Sequence, residues 1–271
     1  MGDGMQTLKS QFEVDGFYAP LRLIDTEESW SYWQSLEAIE RKIGSLHYQF
    51  KIHTAVAMAY ELATNKTLLD SVEELLGPNI LLYNATFIIK EPHSDSHVSW
   101  HQDLTYWGFN DDKQVSAWVA LSDATSENGC MHMLPGSHRN GQRTHSVTED
   151  SNNALYLGQK VKGISNDQSR SVSLKAGEAS LHHGWTLHTS HPNRSNERRI
   201  GLNLNYISTD MLQTQTKEDS ATLVRGIDNY NHFKSDTPAT VEFDKDAWER
   251  LTRSNELIRQ TYSKMSKTNQ P

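Results

Sequence analysis

Three side chains in this 271-residue chain could share one metal ion. His101 and Asp103 stand two apart in "VSWHQDLTYWGF" (residues 98–109), among β-branched and aromatic residues that read as a strand. Side chains of an extended segment alternate faces, so these two point one way and Gln102 the other. The third is His188, late in the strand-like "WTLHTS", with Ser190 sharing its face two residues on. Two imidazoles and a carboxylate on one side of an ion leave three adjacent positions open, as in non-haem iron(II) oxygenases. A 2-oxo acid could take two of these and dioxygen the third. Zinc held by the same set, as in hydrolases, competes on spacing alone. A binding module with no catalysis is the third reading.

A dicarboxylate 2-oxo acid needs a cation at its far end. Arg199 lies 11 residues beyond His188, across the turn "SHPNRSNE". In "RIGLNLNY", Arg199, Gly201, Asn203 and Asn205 alternate with Ile200, Leu202 and Leu204. That alternation puts the polar set inside a barrel and the apolar set outside. A guanidinium fork meets a carboxylate with two parallel charge-assisted bonds, and the Ser190 hydroxyl can add another. Arg198 has the opposite parity and should point away. Among the 13 histidines, His191 reads as an exposed turn residue and His138 as structural. His182 and His183 read as packing or supporting groups outside the triad. Tyr106, Trp107 and Phe109 read as core or pocket wall.

These residues need a frame that brings distant stretches together. The first ~90 residues read as helical after an opening strand in "FEVDGFYAPLRLI". Asp25 and Glu28 form a capping box for the helix "TEESWSYWQSLEAIERKIG". "TAVAMAYELATN" and "KTLLDSVEELLG" follow as helices, the second closed by Gly77 and Pro78. From Asn79 onward, strand-like runs alternate with turn residues, which predicts a barrel or sandwich. A polar, glycine-bearing stretch over 140–170 interrupts them and reads as a lid over the site. After Met211 the chain turns polar and closes with a surface helix in "DKDAWERLTRSNELIRQTYSKM". One domain, 1–271, is expected. It comprises a helical part at about 20–78, a β core at about 79–210, and a polar extension with a helix at 211–271.

The net charge of −8 argues against nucleic-acid or acidic-membrane partners and leaves a small molecule as the expected partner. No apolar run approaches a membrane span and no signal-peptide pattern is seen, so the expected location is cytoplasmic. A single cysteine, Cys130, excludes an intramolecular disulfide and a multi-cysteine zinc site, and reads as a small buried residue. Oligomeric state is not readable from the sequence.

"WHQDLTYW", "SAWVALSDATSENGCMHMLPGSHR" and "LHTSHPNRSNERR" together resemble the phytanoyl-CoA dioxygenase family of Fe(II)- and 2-oxoglutarate-dependent oxygenases, over roughly residues 10–210. The resemblance implies a mainly β fold with flanking helices, the double-stranded β-helix (jelly roll, cupin-like). It implies iron on His101, Asp103 and His188, with 2-oxoglutarate and O2 as co-reactants. Arg199 and Ser190 would clamp the far carboxylate, and Trp118, Gln102 and Thr86 would lie close to the cosubstrate. Halogenating relatives have a small residue at the position of Asp103, so its presence implies hydroxylation. The motif context is also similar to the 2-aminoethylphosphonate dioxygenases, which hydroxylate the carbon beside phosphorus.

Overall fold

A computed structural model describes residues 7–268 apart from 156 and 243, and not the side chains of 106 and 265–268. The expected wall role of Tyr106 therefore lies outside the described residues. In chain order the elements are α1 (Leu8–Asp15), β1 (Phe17–Arg22), α2 (Thr26–Ile43), α3 (Ala57–Ala63), α4 (Lys66–Leu76) and β2 (Ile80–Lys90). Then come β3 (Val98–His101), β4 (Gln114–Ala120), β5 (Met131–Met133), β6 (Arg170–Val172), β7 (Glu178–His183) and β8 (His188–Ser190). β9 (Arg199–Ser208), β10 (Ser220–Arg225), β11 (Lys234–Ser235) and α5 (Lys245–Thr268) complete the chain.

The strands form a major sheet in the order β1-β7-β4-β9-β2-β10-β11 and a minor sheet in the order β3-β8-β5-β6. Neighbours in each sheet are mostly far apart in sequence, and residues of both sheets line one cavity between them. This is the double-stranded β-helix. β2 and β9 run antiparallel with Lys90 opposite Arg199 and Thr86 opposite Asn203. Their alternation is the expected one. Asn84, Thr86, Arg199, Asn203 and Asn205 face the cavity. Phe87, Ile89, Ile200, Leu202 and Leu204 pack outward on Leu36, Ile39, Leu62, Leu68 and Val72 of the helices. Each such buried side chain stabilises the fold by about 2 kcal/mol, so the helices fix the sheet from outside and leave its inner face to polar groups. Local signals agree. The Asp25 carboxylate accepts from Glu28 N at 2.8 Å, Asn65 caps α4, and Gly77 ends it at φ 88°.

Four details depart from the sequence reading. The stretch before Gly16 is the helix α1, capped by Thr7 and ended by Gly16 at φ 84°, so the first strand begins only at Phe17. β3 stops at His101. Gln102 stays extended, and Asp103 opens a single 3₁₀ turn over Asp103–Tyr106. The sheet also reaches past the expected core. β1 joins one side of it, and β10, in the stretch expected to be polar, pairs antiparallel with β2. Finally, α5 is more than a surface helix. Leu251, Asn255, Ile258 and Tyr262 form a buried stripe at helical spacing, and Ile258 and Tyr262 pack in a cluster with Phe50 and Trp107.

Two histidines shielded from water, His47 half-buried and His145 buried, are expected to make the fold acid-sensitive. His47 Nδ1 accepts from Ile89 N at 3.0 Å. Burial, then the nearby Arg199 charge, push its pKa from 6.5 down to about 4. Burial also takes His145 down to about 4, and its Nε2 accepts from Gln102 N. In the unfolded chain both protonate near the ordinary value, so between about pH 6.5 and 4 the unfolded state binds more protons and stability is lost as the pH is lowered. We predict a melting temperature that drops across this window, with a shallower slope in His47→Gln. A wild-type melting temperature flat from pH 7 to 4.5 would refute it.

Candidate metal centre

The register of the minor sheet builds the site. β3 pairs antiparallel with β8 so that His101 stands opposite His188, and the two rings lie 4.0 Å apart. His101 Nδ1 is 2.9 Å from Ser99 O and 3.1 Å from His188 O. His188 Nδ1 is 3.0 Å from Thr186 O. A carbonyl only accepts, so each Nδ1 carries the proton and each Nε2 is left with a bare lone pair. Burial, then His101, hold the His188 pKa well below 6.5.

Both lone pairs face the carboxylate of Asp103, with Oδ1 at 3.4 Å from His101 Nε2 and 3.6 Å from His188 Nε2. Two lone pairs aimed at an anion repel unless a cation lies between them. One donor atom from each of the three residues lies within 4.8 Å of the others. The donor set therefore fits an oxygen- and nitrogen-loving divalent metal, with the Nδ1 bonds as the outer supports such histidines need.

Arg199 stands deeper between the sheets, 1% exposed. Its Nη1 donates to Gly129 O at 2.7 Å and its Nη2 to Ile88 O at 3.4 Å, while Nε has no partner. Burial, not an acid, dominates its environment, and lowers its pKa to about 10. The Trp118 ring lies 5.1 Å from the guanidinium. Gly201 makes room for that ring, since a Cβ there would lie 1.9 Å from it. Among the described residues no carboxylate pairs with it, and a desolvated cation without one costs several kcal/mol, so an anion entering here would be stabilised.

The eight residues expected from the sequence, His101, Asp103, His188, Arg199, Ser190, Trp118, Gln102 and Thr86, all line the cavity, which encloses about 870 Å³ including its open mouth. Two of them are differently employed than expected. Gln102 spends its amide on the lid stretch and the turn between β7 and β8, donating to Gly141 O and Trp185 O and accepting from Arg143 N. Ser190 Oγ accepts from Lys90 Nζ at 2.8 Å. Burial, then Arg199, lower the Lys90 pKa to about 6, making it a second buried base beside the arginine that the sequence reading did not pick out.

Of the two readings left open for His182, the geometry supports the second, and the sequence reading did not name Ser116 or the wall residues Tyr48, Phe50 and Tyr262. His182 Nε2 lies 3.3 Å from Asp103 Oδ2, so it supports the carboxylate rather than packing elsewhere. Ser116 bonds the same oxygen. It lies two residues before Trp118 on β4 and so shares its face, a signal the pattern did contain. Tyr48, Phe50 and Tyr262 close the far side of the cavity, with Leu155 and Gln159 of the expected lid. As expected, Arg198 points away, to Glu91 and Glu40, and Cys130 is a buried free thiol.

A family model described as phytanoyl-CoA dioxygenase (PhyH) matches residues 12–201. The chain is 30% identical over 151 residues to a probable alpha-ketoglutarate-dependent hypophosphite dioxygenase of Stutzerimonas stutzeri, covering 55% of this chain and 52% of that protein. It is 28% identical over 158 residues to the peroxisomal phytanoyl-CoA dioxygenase of Homo sapiens, covering 56% and 46%. The chain thus spans about half the length of the curated relatives it matches. A solved structure, the non-heme monooxygenase ThoJ in its apo form, shares 30% identity and a TM-score of 0.83, covering 97% of this chain and all of that one. Since the family match runs from α1 into β9 and takes in His101, Asp103, His188 and Arg199, the chain belongs to the phytanoyl-CoA dioxygenase family of non-haem, 2-oxoglutarate-dependent oxygenases.

Proposed function

We propose that this protein uses Fe(II), 2-oxoglutarate and O2 to hydroxylate a C–H bond of a small polar molecule. The observation that carries this reading is the meeting of two aligned imidazole lone pairs and a carboxylate with a buried arginine that pairs with no carboxylate among the described residues. In this reading His101, Asp103 and His188 hold the metal, Arg199 and Ser190 take the far carboxylate of 2-oxoglutarate, and Trp118 and Thr86 flank it. A metal held there would let O2, the oxidant, take two electrons from the keto acid, which leaves as succinate and CO2, and two from the C–H bond. The chain's own residues position and shield. Backbone carbonyls lock both imidazoles in one tautomer, Trp118 keeps the guanidinium in place, and the lid residues Leu155 and Gln159 cover the cavity with Tyr48, Phe50 and Tyr262. Holding the reacting carbon while excluding water is what a site of this chemistry asks of its protein.

The finer reading is hydroxylation of 2-aminoethylphosphonate at C1. The named substrate of the S. stutzeri relative, hypophosphite, supports a small phosphorus oxyanion. Among the described wall residues Arg199 is the one lysine or arginine, so neutral donors would have to meet the phosphonate.

Anaerobic addition of Fe(II) and 2-oxoglutarate tests the class: a weak charge-transfer band in the visible is expected, and its absence overturns the proposal. Zinc-loaded protein active in air without 2-oxoglutarate would favour hydrolysis instead. For the substrate, 2-aminoethylphosphonate must stimulate succinate release and gain one oxygen at C1. No stimulation removes the phosphonate and leaves the class standing.

A further inference from the structure

We infer that Ser116 is a positioning residue that holds Asp103 as a one-oxygen metal ligand, an inference that rests on the metal reading above. The two oxygens of Asp103 have different surroundings. Oδ1 faces the Nε2 atoms of His101 and His188. Oδ2 is turned the other way, 2.6 Å from Ser116 Oγ and 3.3 Å from His182 Nε2.

The direction of the serine bond is forced by what lies behind it. Ser116 Oγ accepts from Gln114 Nε2 at 2.8 Å and from Asn205 Nδ2 at 2.9 Å. A hydroxyl has two lone pairs and one proton. Both lone pairs are taken, so the proton goes to Asp103. Asn205 Oδ1 accepts from Asn84 Nδ2 at 3.1 Å, and Asn84 Oδ1 accepts from Lys51 N at 2.7 Å. A backbone N–H therefore starts a series of donors that ends on the carboxylate, and each step fixes the orientation of the next amide. Ser116 and Asn205 are fully buried, so water does not compete for these bonds, and buried hydrogen bonds in series restrict one another's movement. With Oδ2 committed to two donors, Asp103 offers the metal one oxygen. A carboxylate free to swing would offer two and fill a position that a further ligand needs.

The test is Co(II) titration of apo-protein, with Ser116→Ala and Ser116→Cys as variants. Cysteine keeps a side chain of similar length with a weaker donor, and carries the test if the alanine variant does not fold. The wild type is expected to take one Co(II) per chain. Both variants should bind about 10- to 100-fold more weakly, the usual range for loss of an outer support, and show a changed Co(II) visible spectrum while near-UV circular dichroism confirms the apo fold. A merely structural role would lower the apo melting temperature and leave that spectrum alone. Wild-type affinity and spectrum in the folded variants overturn the inference. A wild type that takes up no Co(II) removes the metal reading, and this inference with it.

Discussion

Asp103→Ala protein is expected to lose the Fe(II)–2-oxoglutarate absorption band and to release succinate at least about 10³-fold more slowly than wild type, the scale on which loss of an essential group acts. Asp103 is the one anion among the three candidate ligands. Without it, two neutral imidazoles face a divalent ion with no charge to offset its desolvation, and the position it held is open to water. Asp103→Asn keeps the volume and an acceptor for Ser116 Oγ but not the charge, and is expected to fail as well. Anaerobic absorption spectroscopy and a succinate assay check this directly. An undiminished band in Asp103→Ala would show that the ion, if bound, sits elsewhere.

Arg199→Met separates binding from stability. The guanidinium is buried, oriented by two backbone carbonyls and pairs with no described carboxylate. Losing one member of a buried, hydrogen-bonded charge pair costs roughly 2–5 kcal/mol. The affinity for 2-oxoglutarate should accordingly fall about 30- to several-thousand-fold, while turnover at saturating cosubstrate changes far less. The apo-protein should become more stable, because an isolated buried charge is replaced by a hydrocarbon of similar length. Arg199→Lys is not expected to rescue binding, since an ammonium cannot reproduce the two-pronged contact. Calorimetric titration of 2-oxoglutarate into Zn(II)-loaded protein, beside thermal melts of the apo form, tests both halves. Unchanged affinity in Arg199→Met would remove the arginine from the cosubstrate site.

The sequence was most informative where a short-range rule governed. Period-two alternation in β9 placed Arg199 inside and Ile200 outside, and capping chemistry placed the start of α2 at Asp25. The H-x-D spacing found the metal-capable pair, although a turn rather than a strand carries Asp103. Across-sheet pairing was not legible. His182 meets Asp103 because β7 pairs with β4, setting His182 opposite Ser116, and nothing local encodes which strands become neighbours. Tyr48 was invisible for another reason. It stands at φ 57° in an irregular turn, where no periodicity tells which way a side chain points. β10 is short and half-exposed at its ends, so its composition resembled that of a loop.

The helix α5 lies beyond the stretch that matches the family, yet its Asn255 bonds both backbone groups of Phe50, and its Tyr262 packs against the Phe50 ring. One wall of the cavity is thereby held by a part of the polypeptide separate from the strands and turn that carry His101, Asp103 and His188. Under the proposed function, exchanging this helix would reshape what the cavity admits while leaving the three candidate ligands in place.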